Sequence, residues 1–139
     1  MTRIDFYVVA DSGLDARPKV AVRLADKALG AGHRLFLNAC DEQQAMSLSD
    51  LLWSLKPASF LPHALLGTDD HAPIQIGWGQ DPGEHNDVLI NLSTSAPAFF
   101  SRFNRVAEVV TQDPAQLELM RNAWRFYRDR GYPLSKHDL

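Results

Sequence analysis

The sequence predicts an α/β protein, a layered Rossmann-like domain in which a mostly parallel sheet is flanked by helices. Short runs of β-branched and aromatic residues alternate along the chain with longer amphipathic segments, the order expected of strand–helix–strand units. Residues typical of turns and helix caps stand at the boundaries of these segments. Because 139 residues are enough for one core, we predict a single domain over residues 1–139.

The first half of the chain predicts two strand–helix units. The strands are residues 4–9 and 34–38. Pro18 lies in the first turn of the first helix, where its missing N–H is tolerated, and Gly30 or Gly32 ends that helix. Asp41 followed three residues later by Gln44 forms a capping-box pattern, which predicts the start of the second helix.

The second half predicts three further strands and a long final helix. The strands are residues 74–76, 88–92 and 105–110. A Gly-, Asp- and Pro-rich loop covers 77–87, and a helical turn is expected within 97–103. The final helix begins at Asp113 and Pro114 as cap and first residue, and it ends at Gly131. The loop at 77–87 is short for a helical crossover, so the strands that it joins could pair antiparallel.

Composition excludes several classes of protein. With 45% hydrophobic and 22% charged residues, the chain is typical of a globular protein, and no apolar run is long enough to span a membrane. The N-terminus is too interrupted by charge for a signal peptide, and the single cysteine, Cys40, fits a reducing cytoplasm. A net charge of −3 argues against DNA binding by the whole surface.

The final helix carries the strongest functional signal. Its apolar residues recur at three- and four-residue steps and so share one face: Leu117, Met120, Ala123, Trp124 and Tyr127. Arg121, Arg125 and Arg128 lie on an adjoining arc. Arginines beside a tryptophan suit a ligand that is both acidic and hydrophobic, such as a peptide tail. The alternative is that the arginine stems cover the rim of the core and their charges complement the helix dipole.

A second candidate surface follows the second helix. Trp53, Phe60 and Leu61 lie in a segment with two prolines, including Pro62, and with little helical or strand periodicity. Aromatic side chains held by a fixed backbone are typical anchors of protein interfaces. The alternative is that these rings cover an edge of the sheet as part of the core.

The sequence gives no positive indication of an active site. The turn after the first strand has one glycine, so it lacks the dinucleotide fingerprint, and no Gly-Lys-Ser or Gly-Lys-Thr occurs. Asp69, Asp70 and His71 are adjacent and point in different directions, so we predict no metal site and no cofactor. Cys40 lacks a nucleophile motif and is interpreted as a small core residue. The remaining alternative is a small-molecule or nucleotide-binding α/β protein that uses the carboxyl ends of its strands.

Several motifs, taken in order, resemble the chi subunit of the bacterial DNA polymerase III holoenzyme. They cover nearly the whole chain: Phe6-Tyr7, Ala39 to Ala45, Leu51-Leu52-Trp53, Ser59-Phe60-Leu61-Pro62-His63, Ala72-Pro73-Ile74, Asp87 to Leu92, Glu108-Val109-Val110, and Arg121, Trp124, Arg125, Tyr127, Arg128 and Gly131-Tyr132. The pairing of the Trp-to-Phe-Leu-Pro-His block with the Arg-Trp-Arg helix is the specific part of the resemblance.

The resemblance implies a non-catalytic, cytoplasmic accessory subunit. Members of that family bind the psi subunit, which tethers them to the clamp loader, and the acidic C-terminal tail of single-stranded-DNA-binding protein, so their link to single-stranded DNA is indirect. By similarity, the psi interface maps onto Trp53, Phe60, Leu61, Pro62 and His63. The tail pocket maps onto Val110, Leu117, Arg121, Trp124, Arg125 and Arg128.

The chemistry of such a tail matches the pocket that the resemblance implies. Arg121 would bind the terminal carboxylate, Trp124 would wall the last side chain, and Arg125 and Arg128 would meet upstream aspartates. Some relatives carry a lysine where this chain has Leu117, which predicts a lower tail affinity here. A further alternative is direct binding of single-stranded DNA through the same helix and Arg130.

Overall fold

A computed structural model describes residues 1–13, 15–54, 63–69 and 71–139. In this part of the chain, one sheet of seven strands is flanked by three α-helices. The strands are β1 (Arg3–Val8), β2 (Leu35–Asn38), β3 (His63–Leu65), β4 (Ile74–Gly77), β5 (Val88–Asn91), β6 (Arg105–Val110) and β7 (Leu134–Asp138). The helices are α1 (Ala16–Gly30), α2 (Glu42–Ser54) and α3 (Pro114–Asp129), and a 3-10 turn spans Phe100–Arg102. The predicted Rossmann-like α/β fold is confirmed.

The strand order is β3-β4-β2-β5-β6-β1-β7, and every described pairing is parallel. The antiparallel alternative for the two middle strands is therefore wrong. Both strands lie beside β2, one on each side, so the chain must cross over β2 between them. Each of the two strands has only four residues, and an extended loop over 78–87 can return along that length without a helix.

The sheet is buried on both faces. Residues of β2, β4 and β5 are all buried, which explains the apolar runs at the start of β2 and β5; β4 is interrupted by the buried Gln75. On one face α1 and α2 pack over Leu35, Leu37 and other core residues. On the opposite face α3 and the 3-10 turn pack over Phe6, Phe36 and their neighbours. Functional side chains on α2 and on α3 therefore lie on opposite sides of the sheet.

The ends of the helices agree closely with the sequence. Asp113 caps α3 by accepting a hydrogen bond from the Gln116 backbone N–H at 3.3 Å, and Pro114 is the first helical residue. Gly131 has a φ of 81°, and the Tyr132 N–H bonds back to the Tyr127 carbonyl at 3.2 Å. That pair of features is a Schellman ending, which explains why a glycine follows the helix.

Two strands and one side chain depart from the sequence-based expectation. β3 and β7 lie at the two edges of the sheet and were not predicted. In β7 polar side chains predominate, so the apolar signal of a buried strand is absent. The interpretation of Cys40 as a core residue is wrong, because this residue is exposed. It lies where the chain turns from β2 into α2, and its N–H is held by the Gln44 side chain at 2.7 Å.

Candidate functional site

An open depression on α3 brings together three of the predicted pocket residues. It has a volume of about 370 Å³ and is lined by Met120, Arg121, Trp124 and Arg125. We call this depression the α3 pocket. The four side chains converge because positions three and four residues apart adjoin on a helix surface. Met120 is the lining residue that the predicted set omitted, although the helical periodicity had placed it on the same face.

Trp124 forms the rigid wall of the α3 pocket. Its ring is half-buried and packs on Phe6 of β1, with 5.1 Å between the ring centroids. Phe6 also contacts Tyr127, one turn further along the helix, at 6.1 Å. The tryptophan is therefore anchored on the sheet and keeps part of its ring accessible. It can contact an apolar side chain of a ligand with little loss of its own conformational entropy.

The three arginines differ in how far they are engaged. Among the described residues, the exposed Arg121 side chain makes no hydrogen bond or ion pair, so its full set of donors is available. Arg125 donates from Nη2 to the Asn122 side chain at 2.8 Å, which fixes it along the helix. Arg128 lies outside the α3 pocket and pairs with its neighbour Asp129 at 3.2 Å.

The two aliphatic residues of the predicted set, Val110 of β6 and Leu117 of α3, lie between the helix and the sheet. Val110 is only 5% exposed and belongs to the core cluster under the helix. Leu117 is half-buried and packs against the same cluster. Neither side chain lines the α3 pocket; Val110 supports the helix from the sheet, and Leu117 anchors the helix on the core.

The second predicted surface is described in part. Phe60, Leu61 and Pro62 lie outside the described residues. Trp53, at the end of α2, is 60% exposed, which argues against a core role for this ring. His63 is the first residue of β3, and its ring lies beside that of Trp53, with 5.4 Å between the ring centroids. Met46, two turns earlier on α2, is 47% exposed and was not predicted as part of this surface.

At the carboxyl ends of β2, β5 and β6, a region where α/β sheets usually bind ligands, lies a buried polar network. Asn38 donates to the Asn91 side-chain oxygen at 3.1 Å, and Asn91 donates to both carboxylate oxygens of Glu108 at 3.1 and 3.0 Å. The Tyr127 hydroxyl donates to the same carboxylate at 2.9 Å. The cavity beside Glu108 measures about 20 Å³, room for about one water and far below the size of a nucleotide.

Glu108 is the most perturbed carboxyl among the described residues. Burial raises its pKa to about 7, while hydrogen bonds from Asn91 and Tyr127 and the charge of Arg17 act in the opposite direction. The half-buried Arg17 guanidinium donates to the Val109 and Leu92 carbonyls at 2.8 and 3.0 Å. The sequence did contain a signal for this site, since Glu108 is a charged residue between apolar residues on both sides in β6.

The described residues contain neither a candidate metal site nor a helix that could span a membrane. No group of three or more His, Cys, Asp or Glu is placed to hold a metal ion. In the same part of the chain, no helix is both long and apolar enough to cross a membrane.

Comparison with known proteins gives the family. The family model described as "DNA polymerase III chi subunit, HolC" matches residues 1–135. A protein named DNA polymerase III subunit chi from Pseudomonas aeruginosa is 46% identical over 139 residues, covering 100% of this chain and 98% of the relative. The protein of the same name from Escherichia coli is 30% identical over 142 residues, with 97% of each chain covered. The one from Haemophilus influenzae is 28% identical, covering 96% of this chain and 95% of the relative.

Among solved structures, the fold is similar to "Mss116p DEAD-box helicase domain 2 bound to an RNA duplex", with a TM-score of 0.65. The match covers 96% of this chain and 63% of that chain at 11% identity, so the likeness concerns the fold alone. The family model and the relatives, by contrast, match nearly the full sequence. The chain belongs to the family of DNA polymerase III chi subunits.

Proposed function

We propose that this chain is a non-catalytic accessory subunit of the replicative DNA polymerase in the bacterial cytoplasm, and that it links the clamp loader to coated single-stranded DNA. It binds the acidic C-terminal tail of single-stranded-DNA-binding protein in the α3 pocket and a psi-type subunit at a surface around Trp53. Family membership supports the polymerase assignment. The observation that carries the tail assignment is the unengaged Arg121 beside the anchored Trp124.

The α3 pocket matches the chemistry of a tail that ends in an aromatic residue. Met120 and Trp124 offer an apolar wall for the last side chain. Arg121 would donate two parallel hydrogen bonds to the terminal carboxylate, forming a bidentate ion pair. Arg125, already oriented by Asn122, would meet an upstream aspartate. Because both arginines are exposed, these ion pairs are screened by salt, so binding is modest in isolation and gains from several tails acting together.

Titration of a fluorescent acidic peptide ending in phenylalanine tests the pocket. Arg121→Ala should weaken binding by about tenfold, because a charge-assisted bidentate contact is lost. Amidation of the peptide's C-terminus should have a comparable effect, and binding by the unaltered chain should weaken between low and moderate salt. Circular dichroism of each variant establishes that it is folded.

Arg128→Ala is the matched control. It removes the same charge from the same helix, but Arg128 lies outside the α3 pocket and pairs with Asp129. Equal losses for the Arg121 and Arg128 variants would reduce the interaction to general charge attraction. A folded Arg121→Ala chain that binds the tail normally would remove the pocket assignment. Displacement of the peptide by a single-stranded oligonucleotide would favour direct nucleic-acid binding.

A further inference from the structure

The buried polar network described above connects the sheet to the underside of α3. It runs from the Gly79 N–H through Asn38 and Asn91 to Glu108, and from there to the Tyr127 hydroxyl, with successive distances of 3.3, 3.1, 3.0 and 2.9 Å. The four side chains are almost fully inaccessible, at 0 to 6% exposed. The helix that carries the α3 pocket is therefore hydrogen-bonded to strands β2, β5 and β6 through one chain of side chains.

Among the described residues, the other contacts between the body of α3 and the sheet are apolar and carry little directional information. Its buried face meets Phe6, Phe100 and their neighbours, and α1 and α2 lie on the opposite face of the sheet. Apolar packing depends on the area buried, whereas a hydrogen bond restricts both distance and angle. Tyr127 follows Trp124 by three residues, close to one turn, so a restraint on its hydroxyl restrains the rotation of the helix around the α3 pocket.

We propose that Glu108, through its hydrogen bond to Tyr127, is a positioning residue for the α3 pocket. It fixes the rotation of α3 about its own axis and thereby holds Arg121, Trp124 and Arg125 in the orientation that receives the tail. The inference rests on the proposed function of this pocket. Glu108 itself is buried and does not touch the tail. Around the carboxylate, Arg17 is the neighbouring full charge and Tyr127 the neighbouring titratable group.

Tail affinity is measured for four variants by the same peptide titration. Tyr127→Phe removes the donor and Glu108→Met removes the acceptor, and each should weaken tail binding on the order of fivefold, a size found for residues that couple to a site without contacting the ligand. Glu108→Gln keeps an oxygen that accepts from Tyr127, so it should stay within about twofold of the unaltered chain. The double variant Glu108→Met with Tyr127→Phe should cost less than the sum of the two single losses, because the two act through one hydrogen bond.

A stability control separates positioning from general loss of fold. Val22→Ala opens the core on the α1 face of the sheet, away from α3, and lowers the unfolding temperature without touching the network. All titrations are made well below the unfolding temperature of the weakest variant. Val22→Ala should leave tail affinity unchanged, since a folded α3 still has its restraint.

Tail binding by Tyr127→Phe at the level of the unaltered chain would overturn the positioning role, as would an equal loss in Val22→Ala. Failure of the proposed function looks different. In that case Arg121→Ala would bind the peptide as tightly as the unaltered chain, which would show that the peptide is not held in the α3 pocket, whatever the network variants do.

Discussion

At the scale of single residues, Glu108 combines a structural and an electrostatic role. It lies in the centre of a buried polar network, and burial raises its pKa to about 7. The same burial and the adjacent carboxylate raise the pKa of Tyr127 above its usual value, so the phenol keeps its proton and remains a donor. One carboxyl group therefore links the polar interior of the sheet to α3 and responds to pH near neutrality.

The free energy of unfolding should consequently depend on pH through Glu108. In the unfolded chain this carboxyl titrates near 4.5, and in the folded chain near 7, so the folded state binds the proton more tightly. Its contribution is fully present below about pH 4.5 and is lost as the pH rises to about 7, a change on the order of 3 kcal/mol. Urea denaturation at several pH values measures it, with Glu108→Gln as the comparison, since glutamine does not titrate.

Asp5 provides an internal contrast to Glu108. Burial acts to raise its pKa, but hydrogen bonds from His137 and Arg105, at 2.9 and 2.8 Å, outweigh that effect and lower it. Its contribution is lost only at acid pH, below its usual value of 3.8, and so does not overlap with the window of Glu108. If the unaltered chain and the Glu108→Gln variant lose the same free energy of unfolding between pH 5 and 7, the assigned role of Glu108 is wrong.

At the scale of secondary-structure elements, α3 is the element on which both the fold and the proposed pocket depend. Its first turn relies on one side chain, because the Asp113 carboxylate accepts from the Gln116 N–H. Asp113→Ala should lower the free energy of unfolding by about 1 kcal/mol, the usual effect of losing an N-cap. Asp113→Ser keeps an oxygen at that position and should retain most of the stability. Chemical denaturation compares the two variants. If they lose the same free energy of unfolding, the side-chain oxygen at position 113 contributes nothing to the stability of α3.

Features set by local sequence could be predicted, whereas features set by tertiary contacts could not. The caps, prolines and glycines of the helices are local signals, so the start at Asp113 and the end near Gly131 agree with the structure. The polar edge strand β7 carries no local apolar signal, because its pairing with β1 is a tertiary contact. Arg121, Trp124 and Arg125 could be placed together by helical periodicity. The network of Glu108 could not, because it joins residues from four distant parts of the chain.

At the scale of the whole molecule, the sheet separates two candidate interfaces. The α3 pocket lies on one face, while α2, with the exposed Trp53 and Met46, lies on the other. Between the two faces lies a core of parallel strands buried on both sides. A partner bound at α2 would therefore neither contact nor cover a peptide bound at α3. Such an arrangement suits a connector, which must hold two partners at the same time.

The two interfaces should consequently behave independently in binding experiments. Trp53→Ala or Phe60→Ala should weaken capture of a purified psi-type subunit and leave the tail peptide's affinity within about twofold, because interactions at well-separated sites are additive. Arg121→Ala should have the reverse effect. Analytical ultracentrifugation of the chain with the psi-type subunit and labelled peptide should then detect a ternary complex, with Trp53→Ala as the control that loses it. Competition between peptide and subunit would place both partners on one surface and would contradict the connector role.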